Sequence, residues 1–389
     1  MNNNSIAILF SASTKYRNAS HEYKYRQCSN IIYLTGILDP IHAVVLTKDS
    51  YGNCQEYIFL PTLDEKTIIY QGIGISPDEV KKISGIEQIH YSNELLNQLL
   101  QAFDNIYIVK SNMNHLFDSL LFHNNSKNII DLSPILQELR LTKEPEEIAF
   151  IKKAIRITGE AFNELLKNFN HFKTEADIEA FITSYFISKG QYQHAYLPII
   201  ASGANALTLH YTNNSGRLLK NKLTLLDFGC EYKGYASDLS RTIPNKGIFT
   251  KRQKEIYNKV LSILKEVQKN ITPGTSIKEL NILSKQLMEK ALVELKLLTV
   301  SDIKTESTPL VKKYFPHGVS HFMGLDVHDS GNTETILQEG MILSCEPGIY
   351  IPEENIGIRL ENDILVAPTP INLMQHIPIE IDEIEYRMN

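Results

Sequence analysis

The chain is poor in the features that mark secreted, membrane-spanning or nucleic-acid-binding proteins. Its 389 residues include only four cysteines, Cys28, Cys54, Cys230 and Cys345. No two form a C-x-x-C pair, which removes a zinc ribbon and a thioredoxin-like redox motif. Free thiols in a reducing compartment are the simplest account, so a cytoplasmic protein is expected and the sequons at Asn18 and Asn213 carry no meaning. The start lacks a positively charged segment, and its apolar stretch Ile6 to Phe10 is too short for the core of a signal peptide. No apolar run approaches the length of a membrane span. Positive charge is in deficit too: the net of −6 offers no basic field for nucleic acid or an anionic membrane surface. A small molecule or peptide is the expected substrate. "QGIG" at Gln71 lacks the third glycine and following helix of a dinucleotide loop, and reads as a turn.

What is present is a soluble-type composition, 43% hydrophobic and 22% charged, long enough for two domains with separate cores. Up to about residue 140, short strand-like stretches alternate with polar and helical ones: "HAVVLTK" from His42, "EYIFL" from Glu56 and "NIYIVK" from Asn105 to Lys110. A mixed α/β domain over 1–140 is expected. From Pro145 a helix is predicted by Ile148, Ile151, Ile155, Phe162, Leu165 and Phe169, which recur at helical spacing. Thr174 with Asp177 is a candidate cap for a second helix ending at Gly190. The pattern returns: Ile256, Val260, Ile263 and Val267 share one helix face, and Ser276 caps the next helix, 102 residues after Thr174. Each helix pair precedes strand-like stretches, "YLPIIASG" and "LTLLDFG", then "MILSCEPGIYI" and "IGIRLENDILVA". Residues 141–389 therefore read as a duplicated, pseudo-symmetric α+β unit.

The strands of this second half carry the chemistry. A hairpin centred near Tyr232 and Lys233 would set Asp227 directly opposite Asp238, and one centred between Glu353 and Glu354 would set Glu346 opposite Glu361. Facing side chains on one side of a hairpin have Cβ atoms about 4.5 to 5.5 Å apart, where like charges repel unless a cation lies between them. The stretch "HGVSHFMGLDVHD" supplies His317, His321 and His328. Four carboxylates with one imidazole form an oxygen-rich set suited to Mn, with Co, Fe or Zn as alternatives. The set is too large for one open site, so two ions bridged by carboxylates and a hydroxide are expected. On spacing alone His210, in "LTLHYTN", is equally compatible with a structural role. Cys345 has no nucleophile signature and reads as a small buried residue.

The run "LLDFG…SDLSRT…HGVSHFMGLDVHD…CEPGIY…IRLEND" resembles the pita-bread metallopeptidases, the group of methionine aminopeptidase, prolidase and aminopeptidase P. "YKYRQCSNIIYLTGILDP", Tyr23 to Pro40, is similar to the N-terminal domain of aminopeptidase P, and the resemblance spans the whole chain. It implies a pita-bread catalytic domain over 141–389 and Asp227, Asp238, His321, Glu346 and Glu361 as ligands of two divalent ions, Mn2+ foremost. It implies His210, His317 and His328 as accessory catalytic histidines, Glu346 as general base, and Tyr350, Arg359 and His317 around a proline slot. The implied substrates are peptides with proline in second position, cut to release the first residue, by a homodimer or homotetramer. Ser240 departs from a usual threonine and is expected to touch no ligand. Prolidase is the alternative within the fold, and a non-catalytic peptide-binding module is the alternative outside enzymology. The intact ligand set disfavours the module and creatinase-like chemistry, and the long first domain disfavours methionine aminopeptidase.

Overall fold

The structure, a computed structural model, describes residues 1–19, 21–91, 93–109, 127–304 and 310–389. It divides into two compact units, Met1–Arg140 and Leu141–Asn389.

The first unit is built on a six-stranded mixed sheet. Its strands run in the order Gln88–His90, Cys54–Phe59, Ala43–Lys48, Ser5–Phe10, Asn105–Ile108 and Asn128–Asp131. The three stretches read as strands from sequence are all in it, although Lys110, the last residue of "NIYIVK", lies outside the described residues. The central strand is Ser5–Phe10, which sequence reading treated only as an apolar stretch. It pairs antiparallel with Ala43–Lys48 and parallel with Asn105–Ile108. Ala7 and Leu9 enter the core on one face and Ile6 and Ile8 the core on the other. A strand covered on both faces loses the polar alternation that would announce it.

The second unit has the expected internal repeat. The helix Pro145–Asn168 buries Ile151, Ile155, Phe162 and Leu165, and Lys251–Gln268 buries Ile256, Val260, Ile263 and Val267. Thr174 caps Glu175–Ser188 and Ser276 caps Ile277–Glu294, each through a reciprocal capping box with Asp177 and Glu279. Satisfying the first backbone N–H groups in this way fixes where each helix starts. After the first pair comes a three-stranded antiparallel sheet, ordered Ser240–Pro244, Leu223–Asp227, Ile199–Ser202. After the second comes another, ordered Ile342–Cys345, Asn362–Leu365, Ile371–Asn372. In both sheets the first two strands belong to a hairpin that continues beyond the sheet into a two-stranded ribbon.

The two hairpins run side by side. Glu361 N donates to Ser240 O at 3.1 Å, Thr242 Oγ1 donates to Arg359 O at 3.2 Å, and Arg359 N returns a bond to Thr242 Oγ1 at 3.2 Å. Arg241, fully buried, donates to Pro378 O at 2.8 Å, to Ser240 O and Asn362 Oδ1 at 2.9 Å, and to Glu361 O. Each half of the repeat thus delivers one carboxylate-bearing hairpin to a common seam.

Candidate metal centre

In the second hairpin the ladder Ile342–Cys345 with Asn362–Leu365 and the ribbon Gly348–Ile351 with Ile356–Arg359 keep a single register. Counting inward from Cys345↔Asn362 and from Gly348↔Arg359 places Glu346 opposite Glu361, as the spacing predicted. The first hairpin corrects the sequence reading. Its turn residues are Lys233 and Gly234, both with positive φ (51° and 83°), which a tight two-residue hairpin turn of the favoured hand requires. The turn centre lies one residue later than predicted, so Asp227 faces Ser240 and Asp238 is its diagonal neighbour. A slip of two residues preserves the face, because strand side chains alternate with period two. Both aspartates still point into one space.

His321 reaches the same space from a segment beside the strand Ile342–Cys345. Ser344 N donates to His321 O at 2.9 Å and Glu346 N to Val319 O at 2.9 Å. Its Nε2 lies 3.4 Å from Asp238 Oδ2 and 3.6 Å from Glu346 Oε1. Among the described residues, Asp238, His321 and Glu361 offer ligand atoms all within 4.8 Å of one another. Glu361 Oε1 is buried without a hydrogen-bond partner. Concentrating carboxylates in a site closed to water raises their proton affinity. Burial lifts Asp227, burial with the charges of Asp238 and Glu346 lifts Glu361 far above the usual range, and burial takes Glu346 to about 7. At His321 burial opposes the charged ring, yet the hydrogen bond to Asp238 and the Glu346 charge outweigh it and raise the group to about 9. Without an ion this site holds protons. An orphaned carboxylate oxygen and an oxygen-rich donor set with one imidazole fit a divalent cation.

The surrounding residues form a continuous hydrogen-bonded chain. Arg359, buried, donates to Asp227 Oδ2, to Ser240 Oγ at 2.9 Å and to the Tyr350 hydroxyl at 3.0 Å. Tyr350 Oη lies 2.9 Å from His317 Nε2, whose Nδ1 is 2.7 Å from Gly318 O. Burial lowers His317 to about 4. A neutral ring donating from Nδ1 to the carbonyl leaves Nε2 to accept the phenol. His328 stacks on His321 with centroids 4.2 Å apart, and burial lowers its proton affinity as well. His210 is the outlier: it is exposed on the loop after Gly203–Leu207, though its charge contributes to lowering both His317 and His328. Cys345 is buried, its thiol pushed up by burial, and contacts Leu264 O, so no nucleophile role follows.

Ser240 does touch the cluster, contrary to expectation. Its hydroxyl donates to Glu361 Oε2 at 2.7 Å. The register shift explains this, because Ser240 occupies the place opposite Asp227 that Asp238 was expected to take. Tyr196 was also missed. Its hydroxyl sits between Asp227 Oδ1, at 2.6 Å, and Asp238 Oδ1. Nothing in "HAYLPII" signals this, since Tyr196 and Asp238 are 42 residues apart.

Comparison with known proteins adds to this geometry. Residues 149–368 match metallopeptidase family M24, and residues 1–107 match the N-terminal domain of aminopeptidase P. This chain belongs to metallopeptidase family M24. The Xaa-Pro aminopeptidase of Escherichia coli strain K12 is 34% identical across 99% of this chain and 93% of its own. The mitochondrial intermediate cleaving peptidase 55 of Arabidopsis thaliana is 30% identical, across 99% of this chain and 80% of its own. A structure of Zn-substituted Escherichia coli aminopeptidase P in complex with product aligns with a TM-score of 0.91 at 33% identity, covering 100% of this chain and 94% of that one. The M24 half of this peptidase has the pita-bread fold, and in the acid-lined seam between its two hairpins Asp227, Glu346 and Glu361 all have raised proton affinities.

Proposed function

We propose that this M24 peptidase removes the first residue from peptides whose second residue is proline. The observation carrying the reading is the buried cluster of Asp238, His321 and Glu361, with Glu346 opposite Glu361, in a chain similar to Xaa-Pro aminopeptidases from end to end. Residues 1–140 are the N-terminal domain of this reading and 141–389 its catalytic domain. Asp227, Asp238, His321, Glu346 and Glu361 would hold two divalent ions, Mn2+ by preference. When bound, such ions supply polarisation of the scissile carbonyl and a lowered pKa for the attacking water.

The chain's own residues do the rest. Glu346 takes a proton from the attacking water and passes it to the leaving proline nitrogen. His328, neutral at working pH, donates N–H to the oxygen on which negative charge develops. The ring of Tyr350, the face of His317 and the stem of Arg359 wall a slot for the proline, and the bonds linking them keep it rigid. His210 reaches the substrate from its exposed loop. The assembly is a homodimer or homotetramer in the cytoplasm. Among the described residues no helix is long and apolar enough to cross a membrane.

Hydrolysis of Xaa-Pro-Xaa tripeptides and Xaa-Pro dipeptides by Mn-loaded protein tests the reading. Tripeptides and longer peptides are expected to be cut at least as efficiently as dipeptides, with other second residues much poorer in kcat/KM. Cleavage of dipeptides alone would assign the chain to the prolidases. No cleavage, with no Mn bound, would return it to the non-catalytic module.

A further inference from the structure

Glu175 opens the helix Glu175–Ser188, at a position where most acidic residues face water, yet it is fully buried. Its carboxylate is the hub of one loop. Oε1 accepts from Ser202 N at 2.7 Å and Asn205 Nδ2 at 2.8 Å, and Oε2 from the Tyr211 hydroxyl at 2.9 Å and Gly216 N at 2.5 Å. Glu175 N also donates to Gly216 O at 2.9 Å. These donors lie at the start, middle and end of one excursion of the chain, residues 202–216, and His210 is next to the middle one. Asn205 Nδ2 donates to the Tyr211 hydroxyl at 3.0 Å, joining the two halves of the network.

Packing restricts the same loop from the other side. Ala206, Leu207, Leu209 and Tyr211 belong to a small apolar cluster with Tyr350. A side chain at Gly357 would come within 2.4 Å of Ala206 O, so the loop lies directly on the ribbon that leads to Arg359. A side chain at Gly216 would lie 2.8 Å from the Glu175 oxygens, which makes that approach equally close. Leu209 and Tyr211 pack against that cluster, and His210 between them is exposed. A buried anion with four donors is an expensive arrangement unless every acceptor site is used. Here all four donors come from this loop.

We propose that Glu175 is a positioning residue for the reaction, acting through Tyr211 to hold His210 toward the substrate. The inference rests on the role given above to His210. Glu175→Gln preserves shape but puts an NH2 group against two donors, so the loop loses one acceptor oxygen and the two hydrogen bonds it received at one edge of the hub. The loop then samples other positions while the carboxylate cluster of the hairpins stays in place.

The test is a double-mutant cycle on Mn-loaded protein: Glu175→Gln, His210→Ala and both together, with kcat and KM for an Xaa-Pro-Xaa peptide. His210→Ala is expected to lower kcat by about 10² to 10³, as when one preorganised donor to the reacting substrate is removed. Glu175→Gln is expected to lower kcat by roughly tenfold or more and to add nothing in the His210→Ala background, since the two act as one unit. Amide hydrogen exchange should accelerate over residues 203–216 in Glu175→Gln, with Mn binding by calorimetry unchanged. Should Glu175→Gln fail to fold, Tyr211→Phe, which deletes one of the four bonds, enters the same cycle. Independent, multiplicative losses in the double variant would overturn the role of Glu175 while leaving His210 in place. A His210→Ala variant with full kcat would instead overturn the reading of His210 itself.

Discussion

Glu361 accepts the hydroxyl of Ser240 through Oε2 at 2.7 Å and leaves Oε1 buried without a partner. One oxygen is thereby oriented by the protein and the other is turned free into the cluster. Ser240→Ala removes the orienting donor and deprives Arg359 Nε of its acceptor. Metal affinity is expected to fall by about 10- to 100-fold, as for other groups that orient ligands. Ser240→Thr keeps the hydroxyl and should bind Mn nearly as well as the parent. Equal affinity of the alanine variant in a calorimetric titration would show that Glu361 needs no such support.

Tyr196 plays a comparable part for the first hairpin, because its single hydroxyl bridges Asp227 and Asp238. Tyr196→Phe is expected to fold, and to lose metal affinity by about one to two orders of magnitude. The effect should appear in the Mn binding isotherm as well as in kcat/KM. An unchanged isotherm would separate Tyr196 from the metal centre.

Glu346→Gln is expected to keep the fold and reduce kcat by roughly two to four orders of magnitude, the range for a positioned acid-base group. A folded variant with near-normal turnover would remove Glu346 from proton transfer.

The metal-free protein should become less stable between about pH 6.5 and 9. His321 is raised from 6.5 to about 9, so in that window the native state binds more protons than the unfolded chain, and stability falls as pH rises. The upper part of the Glu346 titration, at about 7, acts in the same direction. His317, lowered to about 4, and His194, which burial also lowers to about 4, oppose it only toward pH 6.5, where an unfolded histidine is still partly protonated, and are neutral in both states above about pH 7.5. Thermal denaturation of the apoprotein should therefore move to lower temperature from pH 6.5 to 9, while added Mn is increasingly stabilising as protons cease to compete for the ligands. A flat apoprotein profile would contradict the proton-holding site.

Much of this was legible in the sequence because it is local. Capping at Thr174 and Ser276 and the helical spacing of Ile151, Ile155, Phe162 and Leu165 are set by residues within a turn or two of each other. The Glu346–Glu361 pairing was legible because both ladders share one register. The Asp227–Asp238 pairing failed by two residues because the turn is decided by which residues tolerate positive φ, and Lys233–Gly234 does so rather than Tyr232–Lys233. Ser5–Phe10 escaped as a strand because burial on both faces erases alternation. The contacts of Tyr196, Ser240 and Glu175 join segments far apart in the chain, and no spacing rule reaches across such distances.

The bond from Arg241 to Pro378 O, and that from the Tyr257 hydroxyl to Ile379 O at 2.7 Å, bear on how the molecule is made. A buried guanidinium that also holds Glu361 O depends on a carbonyl translated 137 residues after it. On the ribosome the first unit can close early, since domains fold as they emerge. The seam of carboxylates has to wait, with its charges and its guanidinium in water, until the segment around Pro378 has been synthesised and docks. A nascent chain stalled before that point would hold both acidic hairpins without the carbonyl that receives Arg241 Nε. Completion of the seam is thereby tied to the synthesis of the segment around Pro378.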